Sequence, residues 1–271
     1  MKIGDCRLGF IGFGHMAQVI CKSIELAKLI PRSQMSFIQR DTHKMRENEK
    51  TFGITSTSLK NLAMQSHVLL LGVRPNQTEL VLKELASLDL QNKILITIVS
   101  GIAIASYRKY LSSALQIIRV MPNIASSVGA GMSVLSFSGS EVTSDVRSLS
   151  RLLFSCMGEV MELPESLMDI SCAIAGSGPG FVFRLIESMA IAGEKEGIPY
   201  PEALKMAAQV FKGASQLILQ GNRPEDLLHQ ITVPGGTTAA GLQVMGDTAI
   251  EKHLQMVVAA ASNKSRLLGS M

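Results

Sequence analysis

The sequence predicts an α/β fold, with a doubly wound parallel sheet in the N-terminal part and an all-helical C-terminal part. Three observations support this. Over the first half of the 271 residues, short apolar runs alternate with helical patterns, the order that places a parallel sheet between layers of helices. The runs are continuously apolar, as strands covered on both faces are. Beyond about residue 164 no segment reads clearly as a strand. These observations divide the chain into residues 1–163 and 164–271.

The elements follow in order. Arg7 to Ile11 (RLGFI) is the first strand, and His15 to Leu29 has helical character, closing before Pro31. Met35 to Gln39 (MSFIQ), Val68 to Gly72 (VLLLG), Ile94 to Val99 (ILITIV) and Ile117 to Met121 (IIRVM) are further strands. Pro164 and Glu165 open a long helical pattern, with the proline suited to a helix start. Ile170, Ile174, Phe181, Leu185 and Met189 then recur at roughly helical spacing. Further helices follow Pro201 and Pro224, and another runs from about Asp247 to Leu268. There are no repeats, charge runs or low-complexity linkers.

Composition narrows the function classes. Hydrophobic residues make up 46% of the chain, enough for a sizeable core. The net charge of +4 is mild and its basic residues are scattered. With no Trp and three Tyr, nothing supports nucleic-acid binding. Cys6, Cys21, Cys156 and Cys172 form no C-x-x-C pair, and no His is spaced to join them. They are expected to be reduced thiols of a cytoplasmic protein, with no metal site. Asp5 and Arg7 interrupt what would have to be a signal core, and no apolar run approaches a membrane span.

Gly12-Phe13-Gly14-His15-Met16-Ala17 fits the G-x-G-x-x-G/A pattern of Rossmann-type dinucleotide-binding domains. Its place directly after a strand and at the start of a helix gives the pattern its meaning. Gly12 permits the tight turn, Gly14 lets the main chain approach a pyrophosphate, and Ala17 lets the helix pack on the sheet. The exposed N–H groups and the helix dipole favour the phosphate charge. His15 lies beside that phosphate and is not expected to act as a base. The second strand ends in Gln39-Arg40-Asp41. Arg40 can grip a 2′-phosphate with its planar fork, which favours NADPH, and Asp41 keeps NADH open. Val73-Arg74-Pro75 follows the VLLLG strand at the carboxyl edge, where Arg74 either borders the cofactor or is a loop charge.

Two glycine-rich segments stand out in the helical part. Gly176-Ser177-Gly178-Pro179-Gly180 interrupts the long helical pattern, for a close approach of main chain or ligand, a kink, or tight helix packing. Ile231 to Leu242 (ITVPGGTTAAGL) lies in a stretch with no ionisable side chain between Gln230 and Gly246. Its Gly-Gly-Thr-Thr reads as a helix start with Thr as N-cap. A helix start in apolar surroundings is an anion site made of main-chain donors; a capped buried helix is the alternative.

FIGFGHMA, LLLGVRP, IVSGIAIASY, IIRVMPN, AGSGPGFVF and ITVPGGTTAAGL together resemble the Δ1-pyrroline-5-carboxylate reductase family along essentially the whole chain. The resemblance implies NAD(P)H-dependent reduction of a cyclic imine, the last step of proline synthesis. It also implies a homodimer, open to further assembly, whose helical domains interlock and whose partner chain helps complete the pocket. It makes Thr238 the catalytic donor to the ring nitrogen, and gives the substrate carboxylate to Gly235, Gly236 and Thr237. Ser177, Gly178 and Pro179 would shape the substrate pocket, and Met121, Pro122 and Asn123 would line the cofactor cleft. The chain departs from the family in carrying Val233 for Ser, Ile124 and Ala125 for Thr-Pro, Arg74 for Lys, and Leu59 where an Asn is common. Reduction of a related imine or keto acid, and a cofactor-binding role with weakened catalysis, are the alternative functions.

Overall fold

Side chains in β1 (Leu8–Ile11) point alternately to the two faces of the sheet, and all four residues are buried. That is possible only for a strand with neighbours on both sides and helices above and below. In this computed structural model, residues 3–137 and 142–269 are described. The other strands are β2 (Met35–Ile38), β3 (Thr55–Ser56), β4 (Val68–Leu71), β5 (Ile94–Thr97), β6 (Gln116–Met121), β7 (Gly131–Phe137) and β8 (Gly158–Glu162). The sheet order is β3-β2-β1-β4-β5-β6-β7-β8. Neighbours are parallel except β6 and β7, which run antiparallel. Leu8 lies between Met35 and Val68, so the chain reverses its direction of winding between β1 and β4. Ligands collect at the carboxyl edge at such a switch point.

The two sheet faces form two cores. Phe10, Phe37, Leu70, Ile96 and Ile118 face one layer, with Ile20 and Ile24 of α1 (His15–Leu26) and Phe154 of α6. Ile11, Leu69, Leu71, Leu95 and Ile117 face the other, with Leu62, Leu82 and Tyr107 from the helices on that side. The intervening helices are α2 (Thr42–Phe52), α3 (Leu59–Gln65), α4 (Pro75–Leu85), α5 (Ile104–Arg108) and α6 (Ser144–Ser155). Strand side chains repeat every two residues, so adjacent apolar positions serve opposite layers.

Three strands differ from the sequence reading. β3 has only two residues at the sheet edge, too short to leave a pattern. In β7 the buried Ser133 and Ser136 break the apolar run. In β8 (GEVME) Glu159 and Met161 are exposed, so an apolar run never develops.

The C-terminal part contains α7 (Met168–Ser171), a π-helical turn over Cys172–Gly176, then α8 (Gly178–Lys195), α9 (Tyr200–Leu219), α10 (Pro224–Ile231), α11 (Thr237–Asp247) and α12 (Ile250–Gly269). The long pattern opening at Pro164 is thus a chain of short helical pieces before α8, and among the described residues no strand follows Glu162. The chain divides into two compact units, residues 1–177 with 261–271 and residues 178–260. Within the second unit, α8 and α9 pack through small residues, Gly193 against Ala203. Ala190, Ala203 and Ala207 are its only fully buried apolar side chains, while Phe183, Met206, Val210 and Leu219 are exposed. Contrary to the expectation from uninterrupted apolar runs, the helical stretch 165–195 is long and apolar enough to cross a membrane, by length and composition alone. Glycine and serine interrupt its apolar run where the π-helical turn meets α8.

Candidate active site

The switch point carries a cleft of about 420 Å³. Its floor is Gly12, Phe13 and Gly14, its far wall Gln39, Arg40, Asp41 and Lys44, and its near wall Gly72, Val73, Arg74 and Gln77. Gly12 has φ +87°, and a Cβ there would lie 2.9 Å from the Gly72 carbonyl. Only glycine allows the first loop to pass so close to the end of β4. At Gly14 a Cβ would meet nothing within 4 Å. Gly14 is also the N-cap of α1 and offers no side-chain cap, so the first N–H groups of the helix are left to a ligand. This bare, open helix start fits a pyrophosphate.

The ribose end is built by a relay of amides. Gln18 Nε2 donates to Phe13 O at 3.1 Å and to Asn48 Oδ1 at 3.2 Å, and Asn48 Nδ2 donates to Gln39 Oε1 at 2.8 Å. These bonds fix the loop after β2. The Asp41 carboxylate accepts from the main-chain N–H groups of His43 and Lys44 and so caps α2. Those bonds, led by the one from Lys44, hold its carboxyl below the usual carboxylate range. Asp41 thus caps the helix through Oδ1, while the exposed Arg40 and Lys44 give this wall a positive character suited to a 2′-phosphate.

The remaining cofactor candidates are distributed differently. His15 is exposed and Met16 half-buried in the first turn of α1, while Ala17 is buried under it. Pro75 is the first residue of α4, where Gln77 Oε1 accepts from Arg74 N at 3.4 Å. Met121, Pro122 and Asn123 are buried at the end of β6, two strands from β4, and do not line the cleft described above. Asn123 instead ties the strand end to the π-helical turn, its Nδ2 donating to Ala175 O at 3.0 Å. Sequence reasoning missed Lys44 and Gln77. Leu59 also lines the cleft.

The substrate candidates fall in the helical part. Ser177 ends the π-helical turn, its N–H donating to Cys172 O at 2.8 Å, and Gly178 and Pro179 begin α8. Pro234 and Gly235 form a tight turn in which Gly236 N donates to Val233 O at 2.9 Å. Gly235 has φ +74°, the left-handed conformation a turn with Pro before Gly requires. The N-cap of α11 is Gly236, not a threonine as the sequence suggested. The turn ends one residue sooner than the pattern implied, so Thr237 and Thr238 are the first two helical residues. No side chain caps this helix either, which leaves its first N–H groups and the half-buried Thr238 hydroxyl for a ligand.

A switch-point cleft with two glycines at a bare helix start, and a basic wall for the ribose, defines an NADP-type dinucleotide-binding oxidoreductase. The comparisons specify it further. Residues 7–101 match the family described as NADP oxidoreductase, coenzyme F420-dependent, and residues 165–268 match pyrroline-5-carboxylate reductase dimerisation. Pyrroline-5-carboxylate reductase 1 of Bacillus spizizenii is 31% identical over 96% of this chain and 88% of its own. The Aquifex aeolicus enzyme is 32% identical over 97% of both. The crystal structure of the Plasmodium falciparum pyrroline carboxylate reductase with NADP bound superposes with a TM-score of 0.86 at 27% identity, covering 98% of this chain and 99% of that one. The chain belongs to the pyrroline-5-carboxylate reductase family.

Proposed function

We propose that this protein reduces 1-pyrroline-5-carboxylate to L-proline with NADPH, as a cytoplasmic homodimer. The observation that carries the reading is the uncapped start of α11, main-chain donors and threonine hydroxyls in a stretch free of acids and bases. Residues 1–163 serve the cofactor and residues 164–271 serve substrate and dimer. NADPH, when bound, supplies the hydride that the imine carbon receives. Gly12, Gly14 and the N–H groups of His15, Met16 and Ala17 hold its pyrophosphate; Arg40 holds its 2′-phosphate. Val73, Arg74 and Pro75 border it, and Met121, Pro122 and Asn123 shape the nicotinamide end.

Gly235, Gly236 and Thr237 hold the substrate carboxylate through main-chain donors and the helix dipole. Ser177, Gly178 and Pro179 contribute to the substrate pocket with small or ring-locked side chains. Thr238 Oγ1 donates a hydrogen bond to the ring nitrogen, which ends the reaction carrying the proton. A strongly shifted acid is not needed, because the carbon accepts hydride while the nitrogen only has to be held polarised or protonated. The exposed apolar residues of α8 and α9 support dimerisation, since residues 178–260 bury only three alanines fully. The four free cysteines suit a reducing compartment.

The test is turnover of racemic pyrroline-5-carboxylate with NADPH, followed by nicotinamide absorbance and by proline formation. Absence of proline refutes the assignment. Thr238→Ala is expected to lower kcat by on the order of ten- to a thousandfold, the range for one well-placed donor. An unchanged kcat gives the proton to water.

A further inference from the structure

β6 carries a buried cation that the cofactor and substrate groups do not use. Arg119 is 2% exposed, and in register it lies beside Thr97 of β5 and Ser136 of β7. Its Nη1 is 3.5 Å from Glu165 Oε1 and its Nη2 is 3.3 Å from Asp169 Oδ1. Its Nε has no partner. Both carboxylates are shared. Glu165 Oε1 accepts from Ile104 N at 2.6 Å, and Asp169 Oδ1 accepts from Ser265 Oγ at 2.7 Å. Ser265 is itself 3% exposed. Above the arginine, the buried Tyr107 hydroxyl bonds Thr97 Oγ1 at 2.7 Å.

One guanidinium thus joins the sheet to three other segments: the start of α5, the Glu165–Asp169 stretch and the last turns of α12. The same strand continues upward to hold the same stretch twice more. Met121 packs against Cys172 and Gly176, where a Cβ on the glycine would come 3.2 Å from its sulfur. Asn123 donates to Ala175 O. Residues 165, 169, 172, 175 and 176 are therefore indexed along β6, immediately before Ser177. The tail of α12 is pressed down beside them, with Gly269 against Gly101 in the loop after β5.

Arg119 is buried while Glu165 and Asp169 are partly exposed, and an ion pair that desolvates a charge is a poor device for stability alone. What a planar fork adds is direction: two carboxylates held at fixed angles. We propose that Arg119 is a positioning residue for this reaction, clamping the Glu165–Ser177 stretch and the tail of α12 onto β6 so that Ser177 is held for substrate. The inference rests on the reading of Ser177 to Pro179 as substrate-binding. It places no demand on the dinucleotide cleft, whose walls come from β1, β2 and β4.

The experiment pairs steady-state kinetics with hydrogen exchange on the full-length protein for Arg119→Lys, Asp169→Asn and the milder Ser265→Ala. Lysine keeps the charge but loses the planar fork that fixes the angles of two carboxylates. For Arg119→Lys, kcat/KM for pyrroline-5-carboxylate is expected to fall by on the order of ten- to a hundredfold, the penalty of a small misplacement. The Kd for NADPH should stay within about twofold of wild type, because the change removes none of the phosphate contacts. Amides of residues 165–177 should exchange faster in all three variants, and Arg119→Met should be worse than Arg119→Lys. Wild-type exchange in this stretch overturns the clamp. Faster exchange with unchanged kinetics keeps the clamp but overturns its role in positioning, and with it the substrate assignment of Ser177. NADPH affinity falling in step with kcat/KM overturns the proposal in favour of general loosening. If Arg119→Lys does not fold, Ser265→Ala and Asp169→Asn decide by the same readouts.

Discussion

Gly14→Ala separates a loop shaped for a ligand from one shaped for the fold. The residue sits in extended backbone, φ −80° and ψ −176°, which alanine adopts without strain. A Cβ there meets nothing within 4 Å. The substitution should therefore leave the ligand-free protein as stable as wild type, or raise its stability by about 0.4–1 kcal/mol through a stiffer unfolded chain. The methyl group instead enters the space left for a pyrophosphate. Pushing the phosphate away from one charge-assisted main-chain bond removes about 1.5–3 kcal/mol. That raises the Kd of NADPH roughly 10- to 150-fold. Thermal melting without cofactor and a calorimetric or fluorescence titration with NADPH give the two numbers. A melting temperature well below wild type would mark Gly14 as structural. An unchanged Kd would remove the pyrophosphate from this helix start. Gly12 is the internal contrast: with φ +87° and the Gly72 carbonyl 2.9 Å away, Gly12→Ala should cost stability even without cofactor.

Arg40→Ala should weaken NADPH far more than NADH, by roughly tenfold or more in the ratio of Kd values; equal losses would reject the 2′-phosphate role. Sedimentation should give at least twice the mass of one chain at micromolar concentration, and a stable monomer would refute the dimer. Burial pushes the Cys6 thiol up to about 11, and burial followed by the nearby Glu25 pushes Cys21 up to about 12. Tyr107 is raised by burial to about 12, against the opposing pull of its bond to Thr97. Groups whose pKa is higher in the folded state stabilise fully below their unfolded values, 9.0 for the thiols and 10.0 for the phenol. Stability is then lost as pH rises toward 11 to 12. The urea midpoint should fall through this window, and less steeply in Cys21→Ala; a flat profile, or an unaltered slope in the variant, counts against burial as the cause.

The central strands were legible because helices on both sides demand unbroken apolar runs, as in VLLLG and ILITIV. β7 was not, because its inward serines look like loop residues until their neighbours are known. The glycine loop was readable residue by residue, since each glycine answers a local steric demand. The α11 cap was placed one residue late, because whether Gly236 or Thr237 turns into the helix depends on a turn closed by Val233. Arg119 stood in plain view within IIRVM. A cation inside a buried strand requires anions, but its partners lie 46 and 50 residues along the chain, and no local pattern names them. The π-helical turn was equally hidden, because it packs against Met121 at the end of β6 and bonds Asn123 just beyond it.

The capping of α2 by Asp41 bears on any attempt to rebuild the protein for the cheaper, unphosphorylated coenzyme. Both main-chain N–H groups of the cap go to Oδ1 of that carboxylate, and deleting Arg40 alone would subtract grip without adding a second acid for the free ribose diol. The neutral post on the same wall is Gln39. Its Oε1 already receives the Asn48 amide, so Gln39→Glu keeps that anchor and supplies the missing acid. A coenzyme switch in this scaffold therefore starts two residues before the obvious aspartate.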